Sequence, residues 1–280
     1  MVVNLQNGLY KKESKWINQF MINPLKILIL NLMPNKKETE KQFIDLFNKV
    51  NENIEISFLY LKSHKCKNIN QYLLQQNYFC FEQIKNKEFN GMIITGAPVE
   101  KLDFDKVDYW KELIEVRNWA KDSEIKTINE CWSAQAALFQ DYQVRKENLD
   151  NKIFEISKGL VFDKNNELMS NIDEISMPQS RNSSSIFIND GENKSSLKVL
   201  MKDQRDSPLI VQSKIFNQIY IMGHPEYDTK RLDIEYKRDM LINNKTIMPT
   251  NYYDNNGKIL NTWSKNSIKL FSNWVSLIER

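Results

Sequence analysis

A single cysteine stands where a β-prone run of the sequence gives way to a helix-forming run. Residues 127–136 read TINECWSAQA, and Cys131 lies at the boundary. This order predicts a strand, a tight turn that carries the thiol, and a helix whose N-terminus points at the sulfur. Such a helix end lowers a thiol pKa and offers free backbone N–H groups to a developing oxyanion. The segment therefore predicts a cysteine nucleophile, with the backbone N–H of Trp132 as one oxyanion donor.

A possible general base occurs in the segment 223–226, which reads GHPE. Glycine permits an unusual backbone and proline fixes the next φ, so the imidazole of His224 is held on a rigid turn. Residues two apart in an extended chain project to the same side, so Glu226 can accept a hydrogen bond from one ring nitrogen. The other nitrogen is then free to face Cys131. Together these residues predict a Cys–His–Glu triad.

Each of these residues also has a simpler interpretation. A lone cysteine at a strand-to-helix junction is more often a small buried hydrophobe than a nucleophile. The compact residues Asn129 and Ser133 favour a strained nucleophile turn around Cys131, although glycine is absent from both positions. The remaining histidine, His64, is interpreted as a solvated loop residue, and the other cysteines as structural or surface residues.

The elements that must position these residues alternate between strands and helices. Strands are predicted at 25–33, 54–61, 91–95 and 126–129, and helices at 39–50, 79–87 and 107–120. This alternation is typical of an α/β fold with a doubly wound, mostly parallel, flavodoxin-like sheet flanked by helices. Chemistry in such sheets lies outside the carboxyl ends of the strands. Met33-Pro34-Asn35, Gly96-Ala97-Pro98 and Cys131 should therefore converge, with the N–H of Ala97 as the second oxyanion donor.

The second half of the chain is predicted to be richer in short strands. The expected strands are 185–188, 197–201, 209–211 and 217–222, the segment 190–196 is an expected loop, and the expected helices are 229–241 and 264–278. The strand at 217–222 would deliver His224 to the site. Residues 1–24 are expected to wrap the surface, and residues 25–280 to form a single domain.

Composition excludes several classes of function. A net charge of +3 with lysines scattered among acidic residues does not indicate a nucleic-acid or membrane partner. Three cysteines without paired spacing make a disulfide framework or a metal site improbable. No apolar run approaches the roughly 20 residues of a membrane span, and no signal sequence opens the chain, so a cytoplasmic location is expected.

Several motifs together resemble one family. They are the segments 29–36, 94–100 and 107–110, residues 131–132 with 134–136, the segment 223–228, residues 235–236 with 238–239, and the segment 271–274. From about residue 25 onward the chain resembles the homoserine O-succinyltransferase/O-acetyltransferase family, whose fold is similar to that of class I glutamine amidotransferases. The resemblance implies small-molecule substrates and a possible homodimer.

The resemblance also implies roles for particular residues. Cys131 would take the acyl group from acyl-CoA, with His224 as the base and Glu226 as its orienting carboxylate, and an amino-acid hydroxyl would attack the acyl-enzyme. Glu100 lies where the family selects the acyl group, and glutamate there goes with acetyl, so acetyl-CoA is the expected co-substrate and no bound cofactor is expected. The positions that match the family's acceptor site are Lys152, Ser180 and Arg238.

Departures from the family pattern leave the acceptor open. Gln179, Asn182 and Glu155 replace the usual residues close to the expected acceptor positions. L-homoserine is the leading acceptor and would place the enzyme in methionine synthesis, whereas L-serine would place it in cysteine synthesis. Glutamine hydrolysis and a non-catalytic binding role on the same scaffold are the alternatives from other classes.

Overall fold

The computed structural model describes residues 2–66, 68–187 and 196–280. Its strands are β1 (Val3–Leu5), β2 (Leu25–Leu30), β3 (Ile54–Leu59), β4 (Gly91–Ile94), β5 (Lys126–Glu130), β6 (Lys146–Val161), β7 (Glu174–Ser185), β8 (Leu197–Asp203), β9 (Pro208–Ser213) and β10 (Gln218–Ile221). Its α-helices are α1 (Leu9–Glu13), α2 (Lys36–Phe47), α3 (Gln71–Asn77), α4 (Phe81–Ile84), α5 (Trp110–Asp122), α6 (Trp132–Tyr142), α7 (Arg231–Ile242) and α8 (Ser264–Ile278).

All ten strands form one sheet in the order β1-β3-β2-β4-β5-β10-β9-β8-β6-β7. The pairs from β1 to β10 are parallel, and the pairs from β10 to β7 are antiparallel. The predicted mostly parallel α/β sheet flanked by helices is therefore confirmed for the half of the sheet that contains Cys131. The antiparallel extension adds four strands beyond β10.

Helices cover both faces of the parallel half, which explains why strands such as β2 and β4 are mainly apolar. On one face, α2 and α8 pack Phe43, Phe47 and Trp274 against strand residues such as Ile27 and Ile128. On the other face, α4, α5 and α6 cover a second core. Two buried faces leave little choice of register, so the carboxyl ends of these strands are aligned at one edge.

Some elements differ from the expectations. The predicted helix at 79–87 is one turn, α4, and α1, α3 and β1 were not predicted. The expectation of short strands between 158 and 218 is wrong for β6 and β7, which span 16 and 12 residues. They form a long ribbon whose polar composition hides its strand character. Of the predicted strand 185–188, Ser185 ends β7 and residues 186–187 follow that strand. The predicted loop 190–196 lies outside the described residues, except for residue 196.

The N-terminal segment does more than cover the surface. β1 pairs in parallel with β3 as the edge strand of the sheet, and Val3, Leu5 and Leu9 are buried. The division between residues 1–24 and a domain from residue 25 stays a prediction. No helix in the described part of the chain is both long and apolar enough to cross a membrane.

A buried ion pair joins α5 and α6 beneath the nucleophile turn. The Arg117 side chain donates hydrogen bonds to Asn129 Oδ1 at 2.6 Å, Gln140 Oε1 at 2.7 Å and Asp141 Oδ2 at 2.5 Å. Lys121 also donates to Asp141, at 2.7 Å. Because Asn129 lies two residues before Cys131, this network fixes the strand end from which the turn starts.

We expect Arg117→Met to lower the free energy of unfolding by about 3 kcal/mol, because the change leaves the buried Asp141 charge only partly paired. Urea unfolding followed by circular dichroism measures this. Lys106→Met, which removes an exposed ion pair with Asp105, is the control and should cost less than about 0.5 kcal/mol. Equal effects of the two substitutions would contradict a structural role for the Arg117 network.

Candidate active site

Cys131 lies on a strained turn between β5 and α6. Its backbone adopts φ 51° and ψ −115°, a conformation that residues other than glycine rarely adopt. Cys131 directly precedes the first turn of α6. The Cys131 N–H donates to Ile221 O of β10 at 2.8 Å. The hydroxyl of Ser133 donates to Ile94 O at 2.6 Å and accepts from the Glu130 N–H at 2.8 Å. The compact residue predicted after the thiol therefore ties the turn to β4.

The imidazole of His224 is buried next to this turn. Its Nδ1 lies 2.9 Å from Glu226 Oε1, and both side chains are almost fully buried. The Tyr227 ring stacks on the imidazole with centroids 4.2 Å apart and planes at 17°. The ring and Cys131 line the same cavity. The geometry thus brings together the three residues of the predicted triad.

Glycine at position 96 allows this close approach. A Cβ atom at Gly96 would lie 3.1 Å from His224 Cε1 and 3.2 Å from Cys131 Cβ. Both distances are shorter than most real Cβ contacts, so a side chain there would push the ring or the thiol out of place. The glycine that follows β4 therefore leaves the space that the His224 ring and Cys131 need to lie side by side.

The charge state of His224 follows from its neighbours. Burial alone would lower its pKa, but the negative charges on Cys131 and Glu226, together with its hydrogen bonds to both, raise the pKa of His224 well above its usual value. The ring therefore carries its proton at neutral pH and can donate it to a leaving group at the sulfur. A thiolate–imidazolium pair is the form that attacks a carbonyl carbon.

A cavity of about 530 Å³ opens in front of Cys131. Among the described residues, its lining contains every predicted site residue except Glu226, which lies behind His224: Ala97, Glu100, Cys131, Trp132, Lys152, Ser180, His224 and Arg238. Met33, Pro34 and Pro98 also line it, so the predicted convergence of strand ends occurs. Ala97 and the N-terminal residue of α6, Trp132, lie where backbone N–H groups can face a reacting carbonyl.

One wall of the cavity carries the predicted acceptor residues. Asp239 accepts a hydrogen bond from Lys152 Nζ at 2.8 Å and from Arg238 Nε at 2.8 Å. Burial opposes ionisation of Asp239, yet the two cations hold its pKa below the usual value. Ser180 donates to Glu235 Oε2 at 2.5 Å. The wall can therefore offer two cations and a hydroxyl to an amino-acid ligand.

Glu100 also lines the cavity. Its Oε1 accepts a hydrogen bond from Asn182 Nδ2 at 2.8 Å, and its backbone oxygen accepts one from Lys146. The family departure at Asn182 therefore contacts Glu100, the residue that was expected to select the acyl group.

The other two departures lie elsewhere. Gln179 is fully buried behind the cavity and accepts a hydrogen bond from Arg181 Nε at 3.0 Å. Glu155 is outside the cavity lining, and its carboxylate binds Arg205 Nη2 at 2.5 Å. The expectation that Glu155 lies near the acceptor pocket is wrong, because its side chain points to the strand face opposite that of the buried Phe154.

Several lining residues were not identified from the sequence, namely Gln135, Arg181, Arg231 and Glu235. Glu235 is the most connected of them, since it also accepts from Tyr227 Oη at 3.0 Å and Arg231 Nε at 2.9 Å. The i, i+4 spacing of an arginine and a glutamate on α7 was the available signal. His64 also differs from expectation, because its Nδ1 lies 3.0 Å from Asp108 and its ring packs on Tyr109.

The chain is similar to known proteins along almost its whole length. A sequence model of the family described as homoserine O-succinyltransferase matches residues 4–279. The chain belongs to this family. A homoserine O-acetyltransferase of Lachnospira eligens is 39% identical over 275 residues, which cover 97% of this chain and 88% of that protein. A homoserine O-acetyltransferase of Lactococcus lactis is 39% identical over 261 residues, covering 91% and 80%.

The fold of this homoserine O-succinyltransferase family member is shared with glutamine amidotransferases. A glutamine amidotransferase from Thermotoga maritima matches with a TM-score of 0.62 at 10% identity, covering 92% of this chain and 99% of that one. Another from Methylobacillus flagellatus gives a TM-score of 0.56 at 8% identity, covering 91% and 95%. At these identities the likeness concerns the fold alone.

We expect the imidazole of His224 to remain protonated at about pH 8, where a histidine of ordinary pKa near 6.5 is neutral. Nitrogen NMR of the protein labelled at histidine measures the ring state, and His64→Asn assigns the two signals. Glu226→Gln should lower the pKa of His224, because the substitution removes a negative charge that stabilises the imidazolium, while burial still favours the neutral ring. A neutral His224 ring at pH 7 would contradict the thiolate–imidazolium pair.

Proposed function

We propose that this protein transfers the acetyl group of acetyl-CoA, through a thioester on Cys131, to the side-chain hydroxyl of L-homoserine. The observation that carries the proposal is that one cavity is lined by the Cys131–His224 pair, by Glu100 and by the cations Lys152 and Arg238. Membership of the family supports the same chemistry. The product would serve methionine synthesis.

The first half-reaction uses the charged pair. The Cys131 thiolate attacks the thioester carbonyl carbon, and the N–H groups of Ala97 and Trp132 stabilise the tetrahedral oxyanion. The carbon–sulfur bond to CoA then breaks, and the His224 imidazolium gives its proton to the departing CoA sulfur. This step leaves an acetyl-enzyme and a neutral imidazole whose orientation Glu226 maintains.

The second half-reaction returns the proton. Neutral His224 removes the hydroxyl proton of the acceptor as its oxygen attacks the acetyl-enzyme carbonyl. The bond to Cys131 sulfur breaks, and the thiolate and imidazolium are restored. Lys152 and Arg238 would hold the acceptor carboxylate, since a cation is the natural partner of that group, and Ser180 would accept a hydrogen bond from the amino group.

The relatives favour homoserine over serine as the acceptor. The proteins named above act on homoserine by name, and the departures that had suggested serine lie away from Lys152 and Arg238. Acetyl-CoA as the donor rests on Glu100, whose carboxylate would repel the terminal carboxylate of a succinyl group. The homodimer stays a prediction.

The proposal is tested by release of CoA thiol from acetyl-CoA with L-homoserine or L-serine. We expect homoserine to be preferred by about 10-fold or more, since one methylene is worth about 1–3 kcal/mol. Cys131→Ala should reduce the rate by at least about a thousandfold, because no other group can hold the acetyl. Cys80→Ala is the control with a near-normal rate. Faster turnover on serine, or ammonia released from glutamine instead, would overturn the proposal.

We expect Glu100→Gly to raise the succinyl-to-acetyl ratio of kcat/KM by about tenfold or more, because it removes both a like charge and a side chain from the acyl space. The same CoA-release assay with both donors measures this. Glu100→Gln keeps the size and removes the charge, so it separates repulsion from volume. A Glu100→Gly enzyme that stays unable to use succinyl-CoA would show that Glu100 is not the acyl selector.

A further inference from the structure

A second buried carboxyl lies beside the triad, and the mechanism above does not use it. Glu130 ends β5, directly before Cys131, and its side chain is fully buried. Neither of its carboxyl oxygens makes a hydrogen bond with any described residue. A buried carboxyl without a partner is costly, so its presence next to a nucleophile calls for a reason.

Glu130 and Glu226 lie on the same side of the sheet. Side chains alternate along β5, so Glu130 shares the face of Ile128, whose core includes α2 and α8. Glu226 borders a small cleft of about 120 Å³ between the same two helices. The charges that act on Glu130 are those of Glu226, His224 and Cys131. The two carboxyls therefore form one electrostatic unit behind the imidazole.

The partners of the two carboxyls are unequal. Oε1 of Glu226 binds Nδ1 of His224, whereas Oε2 of Glu226 has no hydrogen-bond partner among the described residues. Burial and the neighbouring negative charge of Glu226 both raise the pKa of Glu130 well above its usual value. Glu130 also has no cation partner among the described residues that would offset these effects. Glu130 is then a neutral acid, with an O–H to donate.

We propose that Glu130 is a positioning residue that donates its O–H, through one bridging water, to the free Oε2 of Glu226. This bond stabilises the ionised form of Glu226 and fixes its plane opposite His224. The triad carboxylate then has a partner on each oxygen. The inference rests on the triad of the proposed function, but it concerns how that triad is held and not which substrates it uses.

The other groups around the cleft do not supply this bond in the structure. From α2 the cleft is lined by Gln42, Asp45 and Lys49, from the turn after β10 by Asp228, and from α8 by the uncharged Ser264, Ser267 and Ile268. Gln42 Nε2 and Ser267 Oγ are buried and also have no partner. Gln42 is therefore the competing donor that the experiment must separate from Glu130.

The test is the rate of iodoacetamide alkylation of Cys131 against pH, read peptide by peptide with mass spectrometry so that Cys80 is an internal reference. Glu130→Gln keeps the shape and an N–H donor, and should follow the unsubstituted protein within about twofold. Glu130→Met keeps the size without a donor. It should shift the acidic limb of the alkylation profile upward by about one pH unit, because Glu226 then has no donor on Oε2 and supports the imidazolium less.

Gln42→Met is the matched control, because it removes the competing donor, and it should leave the acidic limb of the alkylation profile unchanged. An unshifted Glu130→Met profile, a Glu130→Gln shift as large as that of Glu130→Met, or a shift in Gln42→Met alone would each overturn the proposal. If Glu130→Met does not fold, infrared difference spectra decide. The carbonyl band of a protonated carboxylic acid at pH 7 should be present in the unsubstituted protein and lost in Glu130→Gln, and its absence would overturn the proposal.

The alkylation assay needs neither acyl donor nor acceptor. A failure of the proposal for Glu130 would therefore leave the CoA-release results standing. Conversely, if the protein did not transfer an acyl group to homoserine, the alkylation profile would still report how Cys131, His224 and Glu226 interact.

Discussion

The positive φ of Cys131 is the constraint on which the rest of the site depends. A backbone in that region costs about 1–3 kcal/mol for a residue with a side chain, and it persists only where the surroundings over-determine it. Here the surroundings are the bond from Cys131 N–H to Ile221 and the bridge that Ser133 makes between the turn and β4. The strain lifts the sulfur clear of the strand end and aims α6 at it.

The strand β10 joins the parallel half of the sheet to its antiparallel half. It pairs in parallel with β5 and antiparallel with β9, in a register that sets Ile221 opposite Glu130. Because the two strands end at the same level, the residues that follow them, Cys131 and His224, meet without a long loop. The antiparallel half then supplies Lys152 from β6 and Ser180 from β7 to the same cavity.

The sequence alone predicted the parallel half well and the ribbon poorly. Strands buried on both faces must be apolar throughout, so runs such as 25–33 leave a clear signal. A ribbon with one exposed face and many polar residues, such as β6, leaves none. The triad was predictable because its residues are close in sequence or follow strands. Glu235 was missed because its bond to Ser180 joins segments that are far apart in the sequence, and Glu130 looked like an ordinary strand residue.

The double pairing of Asp239 bears on how a small molecule enters and leaves. Lys152 and Arg238 are both neutralised by this one carboxylate. If these cations bind the acceptor carboxylate, as proposed above, Asp239 competes with it, and an arriving amino acid must displace Asp239 or share the cations with it. The free energy of binding then contains only the difference between the cations' ion pairs with the ligand carboxylate and their ion pairs with Asp239. The same small difference is lost when the ligand leaves. The wall thus favours exchange of ligands over their retention, as suits a site through which each acceptor passes once.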